Sequence, residues 1–234
     1  MTISADKLKD FFRYYDNSNP SHEAAIELLF EDLVTSCPRL LDDTEDSGWI
    51  AQYRRKSEKA ATENPLPLPY QSQRDNLSGT GYRECFSSSC AMVAMYWGKV
   101  KNDDAYNEIR SQFGDSTDAQ AQVRSLRSLG LQANFCVNGT PERIEQLIDA
   151  GQPVPVGWLH TGPVPGSGGG HYAVIHGYTD THWVVSDPYG DADLVNGGYP
   201  GSHNGAALLY SKKNFNPRWE VDGPGTGWYV AIKP

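Results

Sequence analysis

The chain has 234 residues, 38% of them hydrophobic and 21% charged, with 23 glycines and 15 prolines; this composition excludes collagen-like, coiled-coil and largely disordered chains. That length suits one catalytic-size domain with a small appendage. With 20 basic against 29 acidic side chains the formal charge is −9, which repels nucleic-acid phosphates and anionic lipid surfaces, so neither nucleic acid nor membrane is expected as a partner.

No stretch approaches the roughly 20 apolar residues that a membrane-spanning helix needs. Residues 1–9 lack the basic start and apolar run of a secretory signal, so synthesis in the cytoplasm is expected. The four cysteines, Cys37, Cys85, Cys90 and Cys136, form no CxxC pair and are too sparse for a disulfide framework, so free thiols are expected. There is no HExxH motif either, and neither a metal nor another cofactor is expected.

In chain order, residues 4–34 read as a helix pair. Leu8, Phe11, Phe12 and Tyr15 share one face, Asn17-Ser18-Asn19-Pro20 makes a turn, and Ala25, Ile26, Leu28, Leu29 and Leu33 form a second stripe. A third short helix is expected around Trp49 to Tyr53, completing a small helical module over residues 1–57 that could bind a target or merely pad the domain. The Pro-rich segment 58–65 reads as an extended linker. From residue 66 to 234 the pattern is α+β. Helices are expected over Cys85–Tyr96, stopped by Gly98, over 119–128, stopped by Gly130, and over 140–150, with Thr140 as N-cap and Pro141 at its first position. Strands are expected at 131–137, 154–159, 172–178, 183–186 and 228–232, with the third and fourth joined in a hairpin through Thr179-Asp180-Thr181-His182.

Cys85 opens an apolar helix, where unpaired N–H groups and the helix dipole favour a thiolate. A thiol nucleophile also needs a base and a group to orient that base. His171 follows the Gly166-Ser167-Gly168-Gly169-Gly170 run, read as a flexible lip, and is expected at the mouth of its strand. Asp187 ends the next strand, and the hairpin places both strand ends at one edge of the sheet. Cys85, His171 and Asp187 therefore form a candidate triad. Cys90 competes as nucleophile, but it lies on another helix face among apolar neighbours; Cys37 and Cys136 read as buried thiols. His176 points away from His171 and reads as structural, while His160 and His203 read as rim or solvated residues. Asp187, Asp191 and Asp193 could offer oxygen to calcium, but Asx turns account for them better. Tyr70, Tyr82, Trp158, Tyr189, Tyr199 and Trp228 could line a peptide or sugar groove.

Gln73, Cys85, Ser88-Ser89-Cys90-Ala91-Met92-Val93, His171-Tyr172-Ala173-Val174 and Asp187-Pro188-Tyr189-Gly190 occur in an order that resembles the bacteriocin-leader-peptidase-like branch of the papain-like cysteine peptidases. The resemblance covers roughly residues 66–234. It implies a papain-like fold, with an N-terminal helix packed on an antiparallel sheet. It further implies Cys85 as nucleophile, His171 as general base and acid, Asp187 as the orienting residue, and Gln73 in the oxyanion hole beside the Cys85 N–H. Where the family usually has Gly-Pro after the cysteine, this chain has Phe86-Ser87.

Asp187-Pro188-Tyr189-Gly190, Asn196-Gly197-Gly198-Tyr199, Pro217-Arg218-Trp219 and Gly227-Trp228-Tyr229 are also similar to segments of bacteriophage and prophage lysis proteins (endolysins). This second resemblance implies peptidoglycan as substrate; the missing secretory signal then suits delivery to the wall by a holin or a virion, and a monomer is expected. Two other readings stay open at this point. One is a cytoplasmic protein-processing cysteine peptidase acting on polypeptides, and the other is an inactive papain-like binding module.

Overall fold

The computed structural model describes residues 64–234. The helical module over 1–57, most of the 58–65 linker and Cys37 lie outside the described residues. The first regular elements are two single-turn 3-10 segments, Gln73–Asp75 and Gly81–Arg83, which lead into helix α1 (Cys85–Tyr96). Then follow α2 (Asp103–Ser111), α3 (Ala119–Ser128), β1 (Gln132–Gly139), α4 (Pro141–Asp149), β2 (Val154–Thr161), β3 (Gly168–Tyr178), β4 (His182–Ser186), β5 (Leu208–Ser211), α5 (Lys212–Trp219) and β6 (Gly227–Lys233).

The strands form one antiparallel sheet in the order β1-β6-β2-β3-β4-β5, and both faces are covered. Phe86, Met92 and Val93 of α1 and Leu126 of α3 pack on one face against Ala133, Val174, Val230 and Ile232. On the other face Ile144, Leu147 and Ile148 of α4 and Phe215 and Trp219 of α5 meet Val154, Val156, Trp158, Ala173, Ile175 and Tyr229. Alternate residues of one strand thus serve two cores: on β3, Ala173 and Ile175 belong to one and Val174 to the other. Helix α1 is enclosed from Phe86 to Ala94, as a helix apolar on all sides must be. Gly157 is required on β2, because a Cβ there would come 2.7 Å from the Tyr172 ring on the neighbouring strand.

The α+β architecture and the expected starts and stops agree closely with the structure. Helix α1 and helix α3 match their expected limits, Thr140 accepts the Arg143 N–H to cap α4, and Gly98 and Gly130 turn with positive φ. Besides the two 3-10 turns, two helices and one strand are additional. Helix α2 is capped by Asn102, whose side chain accepts the Ala105 N–H, but its sequence is mostly polar. Strand β5 is only four residues long, and α5 contains Pro217, a residue that argues against a helix in sequence. The glycine run differs from expectation: Gly168 and Gly170 pair with Thr161 and Leu159, so the flexible lip is instead the ordered start of β3.

Candidate active site

The site forms where α1 begins against the sheet. Cys85 is the first residue of α1 and is half-buried. Phe86, which stands where the resembling family has glycine, stacks flat on Tyr172 of β3 with ring centroids 3.6 Å apart. An aromatic stack therefore docks the helix entry on the strand that carries His171, next to Tyr172.

His171 pairs with Trp158 of β2 and is 5% exposed. Since β3 already starts at Gly168, His171 lies within the ladder and not at the strand mouth. Asp187 follows β4 and is fully buried. His171 Nε2 lies 2.7 Å from Asp187 Oδ1, which also accepts the Tyr189 N–H at 2.9 Å. Asp187 Oδ2 accepts the Tyr199 hydroxyl at 3.0 Å and, more weakly, the Tyr210 hydroxyl at 3.5 Å. The Asp187 backbone is fixed as well. Its N–H donates to Gly205 O, and its carbonyl accepts the Tyr70 hydroxyl, which in turn accepts the Gly205 N–H. A side chain at Gly205 would bring Cβ to 1.9 Å from the Asp187 carbonyl oxygen, so the close approach needs glycine.

With Nε2 engaged, Nδ1 is left for the thiol, and Cys85 and His171 act directly on each other. Burial opposes charge on both groups, but each is the other's counter-ion. Burial would lower the His171 pKa; the Asp187 and Cys85 charges outweigh it and raise the imidazole to about 10. Burial would raise Cys85, yet the His171 charge, its hydrogen bond and the Tyr172 N–H bring the thiol below its ordinary value. A thiolate–imidazolium pair is the arrangement these shifts favour.

Gln73 is buried in the same cleft, and its side-chain N–H donates to Gly81 O at 2.7 Å. Its backbone N–H donates to Pro188 O, which ties the Gln73 turn to the loop after Asp187. The cleft has a volume of about 540 Å³ and is bordered by Gln73, Cys85, His160, His171, Tyr189 and Tyr199 among others. All four candidate residues therefore meet in one place. A second depression of about 500 Å³, bordered by β1, α4 and β6, contains no Cys, Ser or His.

Other sequence readings sort out by position. Cys90 is fully enclosed, and burial pushes its thiol well up, away from nucleophilic use. Cys136 is half-buried rather than buried. His176 donates its Nδ1–H to Leu66 O, and its Nε2 meets the Ser186 hydroxyl, a structural role. His160 belongs to β2 instead of a loop, and its ring stands 5.7 Å from that of His171. Asp187, Asp191 and Asp193 do not gather: Asp187 is committed to His171, and Asp193 accepts the Val195 and Asn196 N–H groups as an Asx turn. Among the described residues no three His, Cys, Asp or Glu side chains converge as metal ligands. Of the candidate groove aromatics, Tyr82, Tyr189 and Tyr199 border the cleft, Trp158 lies buried beside His171, and Trp228 is exposed on β6.

Glu84 was not singled out in the sequence. Buried just ahead of Cys85, its carboxylate accepts from Asn76, Ser78, Thr80 and Asn107 and lies 3.9 Å from Arg110. It gathers the loop that joins Gln73 to Cys85.

A model of the Peptidase_C39 like family matches residues 65–223, more than half of the chain. The chain belongs to this family. It is accordingly a cysteine peptidase, a hydrolase of peptide bonds. Among solved structures, a C39-like peptidase from Bacillus anthracis aligns with a TM-score of 0.52 at 16% identity, covering 73% of this chain and 97% of that one. A double glycine motif protease from an AMS/PCAT transporter, solved with its leader peptide, aligns at 0.47 with 19% identity, covering 74% and 96%. The peptidase domain of Streptococcus ComA, a bifunctional ABC transporter of a quorum sensing pathway, aligns at 0.43 with 20% identity, covering 65% and 93%. No curated protein matches the chain.

Proposed function

We propose that this C39-like peptidase cleaves its substrate by acyl transfer to Cys85. The observation that carries the reading is the chain of contacts from Asp187 through His171 to Cys85, closed by the 2.7 Å contact at the carboxylate. The Cys85 thiolate adds to the scissile carbonyl, and the oxyanion is held by the Cys85 N–H and the Gln73 amide. The His171 imidazolium gives its Nδ1 proton to the leaving amine, leaving a thioester on Cys85. Water then loses a proton to His171, attacks the thioester and releases the acid, restoring thiolate and imidazolium.

For the substrate we propose a stem-peptide amide of bacterial peptidoglycan. Support comes from the likeness of the segments around Asp187, Tyr199 and Trp219 to phage lysis proteins; Asp187 and Tyr199 belong to the site itself and Trp219 to the core beneath the sheet. The test is release of muropeptides from purified peptidoglycan by the native chain and by Cys85→Ala, with mass analysis. Products bearing new amino and carboxyl ends, lost with Cys85→Ala, support both the nucleophile and the substrate. Cleavage of an unfolded polypeptide with no release from wall material would move the substrate to proteins while keeping the chemistry.

A further inference from the structure

The chain carries a net charge of −9, yet the residues bordering its cleft include two arginines, Arg74 and Arg83, and no carboxylate. The two differ in their surroundings. Arg83 pairs with Asp115 at 3.0 Å, so its charge is already answered. Arg74 lies at the cleft wall with its guanidinium carbon 4.2 Å from the centre of the Tyr189 ring, while its Nη1 contacts His203 Nδ1. Among the described residues no carboxylate lies within ion-pair distance of Arg74.

Stacking on an aromatic face and one fixed hydrogen bond hold a guanidinium plane in place while leaving other N–H donors at its edge. That edge matches a carboxylate, which accepts two parallel N–H bonds. Arg74 also follows Gln73 directly in the 3-10 turn, so an anion there would sit beside the proposed oxyanion site. In a chain that repels anions overall, a local cation of this kind selects a particular carboxylate and does not attract anions in general.

We propose that Arg74 is a specificity residue, and that the substrate is an acidic peptide bearing a free carboxylate next to the scissile bond. This rests on the reading of Cys85 as the nucleophile in the same cleft. The probes are internally quenched peptides matched in pairs, with Glu or Gln at each position flanking the cleaved bond. At low salt the native chain is expected to favour one Glu peptide over its Gln twin by about tenfold in kcat/KM, a ratio that shrinks as salt rises. In Arg74→Gln the Glu/Gln ratio falls to about one, and in Arg74→Lys it is partly retained. The ratio is taken within each variant, so loss of folded protein lowers both arms equally. Binding of the same peptides to Cys85→Ala by fluorescence anisotropy gives a readout independent of turnover. A Glu/Gln ratio near one in both assays with the native Arg74, or a ratio unchanged by Arg74→Gln, overturns the proposal. Selective binding to Cys85→Ala without any cleavage by the native chain would keep Arg74 as a carboxylate site and overturn the nucleophile assignment instead.

Discussion

Replacing Asp187 with Asn separates the charge of this residue from its shape. Oδ1 receives His171 Nε2 and the Tyr189 N–H, and an amide oxygen can accept both. Oδ2 receives the Tyr199 hydroxyl, which can turn to accept from an amide N–H. The fold and the ring orientation should therefore survive, while the negative charge is lost. The rise of His171 from 6.5 to about 10 corresponds to about 5 kcal/mol in favour of the imidazolium. Burial works against it, and Asp187 is the largest influence in its favour, ahead of Cys85. A unit charge pair about 4 Å apart at an effective dielectric of about 20 interacts by about 4 kcal/mol, or about three pH units. In Asp187→Asn the alkaline limb of the kcat/KM profile, set by loss of the His171 proton, should move from near 10 to about 7, with a lower maximum. The assay is peptide cleavage followed from pH 5 to 11 with folded content checked at each pH. An alkaline limb that stays in place would refute the claim that Asp187 holds the proton on His171.

Three other outcomes are expected. Glu84→Gln should cost about 2 kcal/mol at neutral pH, because a buried carboxylate with several donors loses its charge. Burial alone would raise the Glu84 pKa, but those hydrogen bonds bring it below 4.5; the stabilisation is thus present above 4.5 and fades as pH falls, and calorimetry should show the gap in Tm closing in acid. Iodoacetamide at mildly acidic pH should label Cys85 quickly and leave Cys90 untouched until the protein unfolds, as read by peptide mass mapping; equal rates would contradict the pairing of Cys85 with His171. Arg218→Met should lower stability by about 3 kcal/mol, since the buried guanidinium donates to the Leu159, Gly162 and Leu194 carbonyls, and denaturant melts would show it.

The elements with local signals were legible in the sequence. Thr140-Pro141 and Gly151 bracket α4, Gly98 and Gly130 follow α1 and α3, and the β3–β4 hairpin is marked by its turn residues. The candidate triad was legible because Cys85, His171 and Asp187 each sit at an element start or end, or in a strand whose pairing the hairpin fixes. Helix α2 was not, since its stability comes from Tyr106 and the buried Asp103 and Asn107 meeting other elements, not from an apolar stripe. Pro217 hid α5 because the penalty for proline is local, while the gain from burying Phe215 and Trp219 is tertiary. Tyr210 reaches Asp187 from β5, 23 positions away, and nothing near either residue in sequence announces that contact.

Two buried charges explain how loops with little regular structure can hold the site still. Glu84 is an anion that collects donors, the side chains of Asn76, Ser78 and Thr80, from the loop between Gln73 and Cys85. Arg218 is a cation that collects acceptors, the carbonyls of Leu159 near the end of β2, of Gly162 just after it, and of Leu194 in the loop after Asp187. A loop cannot satisfy its own polar groups as a helix or strand does, so a buried loop needs such a partner. The signs follow from the job: side-chain N–H and O–H groups turn inward on the Gln73 side, and backbone carbonyls turn inward on the Tyr199 side. Charge reversal at either position would leave both the new charge and the old loop groups unpaired. Each anchor therefore serves the cleft through geometry while standing outside the reacting atoms.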